Sequence, residues 1–345
     1  MKILSKAKYL PLFLLILSAC KGNRLDVDIS NIDVKPEVRR FEEEVFSLTA
    51  ANFDQKIEAI RQKDTAFFYD YVVNYTFRSH IPVETGFDLN DSLKSFVFHP
   101  YIRKIYDEVH LKYAKMDDVL AEWKMALQYC KYHFPNKEIP KLQTCISQFS
   151  FSVGSATYRH AIGLSLDKFL GQDFGGYSMM EEFPAYMLRR MSRQYIAQAL
   201  SQALYSYHFE REAADKTFLG AMIEEGKKQY FIDALLPNVH DTIRREYTKK
   251  QLNFCDKNQV QMWNYFAENK LFFNSNANDF FRMMIDGPFT ASPNVPPEAA
   301  PRLGMYCGWQ IVKHFMDEHP EVTLPQLLAE RDYQKILKQS KYKPG

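Results

Sequence analysis

Hydrophobic and polar positions along the 345 residues follow helical spacing for most of the chain and strand-like alternation in two places. The first twenty residues follow neither. Lys2, Lys6 and Lys8 precede an almost unbroken apolar run, Leu10 to Leu17, and Ser18 and Ala19 then lead into Cys20. That run is far short of the roughly 20 residues that cross a bilayer as a helix, so it reads as a cleaved export leader. Leu25, Val27, Ile29, Ile32 and Val34 alternate with polar residues and predict a half-buried strand. After Pro36, the spacing of Val38, Phe41, Val45 and Leu48 predicts a short amphipathic helix, with Glu42, Glu43 and Glu44 on its solvated face.

From Asn52 to Phe134 the period stays helical, broken at Pro82 and Pro100, and aromatics recur from Phe67 to Trp123 as a core stripe. The texture changes at 139–147 and 158–166, which are short, partly β-branched and separated by Gly154-Ser155; they predict strands of a small sheet. Gly175-Gly176 predicts a flexible turn, and helices are predicted over 181–191, 193–209, 215–236, 248–268, 279–285, 302–318 and 323–338. The expected fold is α+β and predominantly helical, with a small mixed sheet between helical parts. Residues 25–345 should form a single large globular domain: helical to about 136, the sheet at 137–171, helical again over 172–345. In the third helix of the later group Phe218, Leu219, Met222, Ile223, Gly226, Tyr230 and Ala234 share one face. Gly226 costs about 1 kcal/mol there relative to alanine, so it should admit the close approach of another backbone or of a ligand. Pro293, Pro296, Pro297 and Pro301 mark a long loop that could edge a cleft.

Composition supports a large core: 46% of residues are hydrophobic and 15% aromatic, which excludes disorder for most of the chain. The formal charge is +2; loss of the leader takes three lysines from 44 basic residues and leaves 41 against 42 acidic ones. Such a balance offers nothing to nucleic acid. Leu17-Ser18-Ala19-Cys20 has the layout of a lipobox, in which Leu17 fills an apolar subsite, small residues admit a peptidase and the Cys20 thiol receives diacylglycerol. Several acyl chains, at about 0.8 kcal/mol per buried CH2, would anchor the protein stably. Residues 20–24 would then be a lipidated tether, and the membrane a partner through Cys20. Cys130, Cys145, Cys255 and Cys307 form no C-x-x-C pair, which argues against a zinc knuckle. Their apolar neighbours place buried free thiols ahead of disulfides.

Familiar catalytic patterns are missing. No H-E-x-x-H, G-x-S-x-G, P-loop or G-x-G-x-x-G motif occurs, and no two of the nine histidines stand at i and i+4. Most histidines should be surface or capping residues. The pairs Asp117-Asp118, Glu181-Glu182 and Glu224-Glu225 are adjacent on helices and therefore diverge, which makes them weak acid/base candidates. Glu225, beside Gly226, is the most interesting of these carboxylates.

Long segments in order resemble the gliding motility lipoproteins of Bacteroidota, the GldB family: the lipobox and residues 39–48, 163–174, 181–192, 220–238, 247–276 and 301–320. The resemblance implies an envelope lipoprotein associated with the gliding machinery and without an established enzymatic activity; relatives in non-gliding species imply a broader envelope role. The C-terminal half also resembles zinc-dependent peptidases of zincin type, in which an H-E-x-x-H helix precedes a Glu-Gly helix and a G-x-x-x-G-x-x-I-V helix. Glu225-Gly226 and the run from Gly304 through Gly308 to Ile311-Val312 match the second and third elements. The first is absent, since Tyr195 to Leu204 carries neither imidazole nor carboxylate. The resemblance thus implies a zincin-like scaffold without its metal helix, no catalytic residue and no cofactor. A vestigial cleft would lie at Glu225, Gly226, Arg302 and Tyr306. Envelope proteins are the expected partners. Lys21 is not the aspartate that retains lipoproteins at the inner membrane, which favours the inner leaflet of the outer membrane facing the periplasm, with the inner membrane as the alternative. The expected role is non-catalytic interaction or scaffolding; the alternative is a metallohydrolase or peptide-binding protein using the cleft. Convergent polar groups around Glu225 and Arg302 would favour a ligand site, and apolar filling would favour a scaffold.

Overall fold

The structure is a computed structural model that describes residues 23–69, 89–156, 160–178, 183–292 and 295–344. The lipobox, Pro82 and Glu181-Glu182 lie outside the described residues. A four-stranded sheet has the order β1-β2-β4-β3, formed by β1 (Val38–Arg40), β2 (Lys141–Cys145), β3 (Val153–Ala156) and β4 (Ala161–Ser165). The first three neighbours in that order run parallel, with Val38 opposite Leu142 and Leu142 opposite Ile162, and β3 returns antiparallel, with Gly154 opposite Gly163. β4 is buried throughout, as a strand covered on both faces should be.

Helices α1 (Phe41–Phe46), α2 (Phe53–Lys63), α3 (Thr65–Tyr69), α4 (Leu89–Phe98), α5 (Pro100–Tyr113) and α6 (Asp117–His133) supply most of the first half. Pro100 opens α5 at the position where its missing N–H costs nothing, capped by His99. After the sheet come α7 (Gly175–Ser178), α8 (Ala185–Leu188), α9 (Ile196–Phe209), α10 (Phe218–Leu235), α11 (Asp241–Arg244), α12 (Lys249–Lys257), α13 (Gln259–Glu268) and α14 (Ala277–Met284). The chain closes with α15 (Leu303–Glu318), α16 (Leu324–Ala329) and α17 (Tyr333–Ser340). Buried apolar side chains from Val34 to Tyr342 form one cluster. The expected α+β, predominantly helical class with its small mixed sheet is what the chain forms.

Several local expectations fail for identifiable reasons. The segment 25–34 keeps its alternation of half-buried and exposed residues but joins no ladder. It lies on α6, where Gln128 Nε2 donates to the Ile32 carbonyl at 2.7 Å and the Tyr129 hydroxyl to Asp26 Oδ1 at 2.7 Å. Val38–Arg40 is a strand rather than the first turn of a helix, so the sheet recruits residues far ahead of 137–171. The acidic triplet is not a solvated face. Glu42 is buried, within 2.5 Å of Arg40 Nε, and accepts from Thr144 Oγ1 at 2.7 Å; Glu43 accepts from the Tyr106 hydroxyl; Glu44 is paired with Arg39 and Lys63. Gly154 and Ser155 sit inside β3 instead of separating strands. Gly175-Gly176 opens a helical turn, and 248–268 and 323–338 are each interrupted, at Asn258 and at 330–332. At the first break Asn258 leaves helical angles, with φ −115° and ψ 22°, and its side chain donates to the Phe254 carbonyl, which also accepts from the Asn258 N–H at 3.1 Å.

Candidate functional site

The two helices that carry the expected cleft residues, α10 and α15, cross backbone to backbone. They run in the same direction, with Phe218 against Gly304 and with Met222 and Gly226 against Gly308. A Cβ at Gly226 would collide with the Gly308 carbonyl, and a Cβ at Gly308 with the Met222 carbonyl. Gly226 therefore admits another backbone, the first of the two options its position left open. The space beside it is filled by α15.

Polar groups at the edge of this crossing bind one another. Asp233 on α10 and Arg245 are 5% and 0% exposed and form an ion pair. Trp309 Nε1 donates to Asp233 Oδ2 at 2.7 Å, and the Arg245 guanidinium lies 4.2 Å from the Trp309 ring centroid. Burial works against the Arg245 charge; the carboxylate and the indole face oppose that cost. Gln229 extends the network, since its Nε2 donates to Glu225 Oε1 at 2.9 Å while its main-chain carbonyl accepts from Arg245 Nη1 at 3.1 Å. The other Glu225 oxygen is 2.5 Å from Lys228 Nζ.

Arg302 precedes α15 with φ +56°. Its Nη2 donates to the Arg245 carbonyl at 2.6 Å, and its Nη1 shares Glu246 Oε2 with Arg190 Nη1, each at 3.2 Å. The buried Tyr247 hydroxyl donates to the Pro301 carbonyl at 2.8 Å and Thr290 Oγ1 to the Ala300 carbonyl at 2.7 Å, so the described part of the proline loop is pinned to the body. Gly226 thus lies in the helix crossing, while Glu225 and Arg302 join one network. Tyr306 does not: its hydroxyl points to α12 and donates to Asp256 Oδ1 at 2.6 Å.

A cavity of about 320 Å³ lies along α9, bordered by Gln198, Gln202, Lys168, Phe183, Arg190 and Glu246. Sequence reading passed over Gln198 and Gln202; the available signal was two amides at i, i+4 on a largely apolar helix. It also missed Asp233, Arg245 and Trp309, which are distant in the chain and meet only across the crossing. His133 and His208 are half-buried, and burial first of all holds both pKa values down to about 4. His99 and His240 cap helices, as expected of the surface histidines. All four described cysteines are buried free thiols. Among the described residues no three His, Cys, Asp or Glu side chains converge as a metal site would require.

The family model for the gliding motility protein GldB, a lipoprotein family, matches residues 22–344. The chain belongs to the GldB family. Membership ties it to gliding motility and fits association with the cell envelope. No described helix is long and apolar enough to cross a membrane. Neither the curated proteins nor the solved structures contain a match to this GldB-family chain.

Proposed function

We propose that this GldB-family protein is a non-catalytic interaction component of the gliding machinery, lipid-anchored through Cys20 and facing the periplasm from the inner leaflet of the outer membrane. The observation that carries the reading is the α10–α15 crossing: the face of α10 bearing Gly226 is occupied by the backbone of α15, and the Glu225 carboxylate is engaged by Gln229 and Lys228. The stretch from Tyr195 to Leu204, where the resemblance to zincins would place the metal helix, carries neither imidazole nor carboxylate. The first described residues already bind the body, with Asn23 Nδ2 donating to the Pro237 carbonyl at 2.9 Å and Arg24 to that of Met316. Only Lys21 and Gly22 separate Cys20 from Asn23, three Cα–Cα steps that span at most roughly 11 Å, so an anchor at Cys20 would hold the body close to the bilayer. Other envelope proteins are the partners this placement favours.

The reading is tested in gliding cells. Cys20→Ser should abolish incorporation of a labelled fatty acid and release the protein from membranes, and colonies should stop spreading. Glu225→Gln should spread as wild type does. A Glu225→Gln variant that folds normally but does not glide, or a stoichiometric transition metal in purified protein, would overturn the non-catalytic assignment; protease sensitivity in intact cells would overturn the periplasmic one.

A further inference from the structure

We propose that the cavity along α9 binds a short apolar peptide segment of a partner by its main-chain amides. Gln198 is 1% exposed and its Oε1 has no hydrogen-bond partner among the described residues, while its Nε2 makes only a long 3.5 Å contact to the Arg244 carbonyl. Buried acceptors in folded proteins are paired almost without exception, and Gln198 borders the cavity, so its unpaired acceptor calls for a donor from outside, which the side chain reaches by turning toward the cavity. Gln202 lies one turn further on, on the same wall, and is half-buried like Ala199, which places this end of the cavity at the surface. A side-chain amide offers both an acceptor and donors, complementary to the one N–H and one C=O of a peptide unit, so two glutamines a turn apart match N–H and C=O groups of an extended strand. The remaining walls are apolar at Phe169, Met191 and Tyr195, which are 3%, 4% and 3% exposed, and they suit an apolar side chain carried by that backbone. Glu246 brings no unbalanced charge, because Arg190 and Arg302 share its carboxylate. The volume, about 320 Å³, is at the lower end for ligand pockets and takes a couple of residues of a partner chain.

This deepens the interaction role proposed above and rests on it only in that the cavity binds and does not cleave. The probe is acetyl-Leu-Phe-amide titrated into the full mature chain by calorimetry and ligand-observed NMR, beside its depsipeptide, in which an ester replaces the Leu–Phe amide. Saturable binding of the amide is expected, weakened at least tenfold by the ester, by Gln198→Met and by Gln202→Met. Gln198→Met should melt no lower than wild type, because the lost oxygen had no partner. No saturable binding to wild type, or equal binding of amide and ester, would mean that water alone serves Gln198, and either result overturns the proposal while leaving the tethered interaction role intact. Cleavage of the probe, read by mass spectrometry, would support binding in the cavity and overturn the non-catalytic reading instead.

Discussion

Gly308→Ala probes the backbone crossing directly. The added methyl points at the main-chain carbonyl of Met222, which cannot swing aside as the end of a side chain would. Helix α15 must back away from α10, and a gap of 0.5–1 Å forfeits roughly a quarter to a half of each contact worth about 0.1–0.2 kcal/mol. Overpacking of this kind costs about 1–3 kcal/mol. Disturbing the Trp309 to Asp233 hydrogen bond adds about 1 kcal/mol, and alanine's better helix propensity offsets about the same amount. The net loss is roughly 1–3 kcal/mol. At roughly 2 °C per kcal/mol for a chain of this size, Tm should fall by about 2–6 °C in calorimetry. Gly175→Ala is the control, since no atom lies within 4 Å of its Cβ position, and it should leave Tm unchanged or slightly raised. Combined Gly226→Ala and Gly308→Ala should cost less than the sum of the two, because one separation of the helices relieves both clashes. A Gly308→Ala protein that melts at or above the wild-type temperature would refute the account.

Two further perturbations test the buried groups. Asp233→Ala leaves Arg245 charged and unpaired in the core and should cost about 3–5 kcal/mol in urea unfolding, whereas Asp233→Leu with Arg245→Met should recover most of that loss; an unaffected single variant would show that the pair is not coupled to folding. His133 and His208 have folded pKa values of about 4 against 6.5 for the ordinary side chain, so as pH falls the unfolded chain takes up their protons first. Their contribution to stability is complete above pH 6.5 and is lost between about 6.5 and 4, and His133→Gln with His208→Gln should flatten the pH–Tm curve in that window; superimposable curves would remove the histidines from the explanation.

Most helices were legible because their apolar period is set locally, and α9, α10, α14 and α15 lie within a few residues of where spacing predicted them. Breaks inside long helical stretches were not, because the backbone leaves the helical region at the single residue Asn258, a departure that the apolar pattern does not reveal. The segment 25–34 shows the same limit from the other side: alternation reveals that one face is buried but not whether a strand or a helix covers it.

The sequence by itself determined the helical, α+β character of the chain and the need for something to pass close to Gly226. Only the tertiary structure decided what passes there and what the charged residues do. Gly226 and Gly308 are 82 positions apart, and their meeting depends on how α10 and α15 pack. Glu42 looked like part of a solvated face until Thr144 closed over it from the sheet. Burial is a property of the assembled core, and no local period encodes which carboxylate, arginine or glutamine the core encloses.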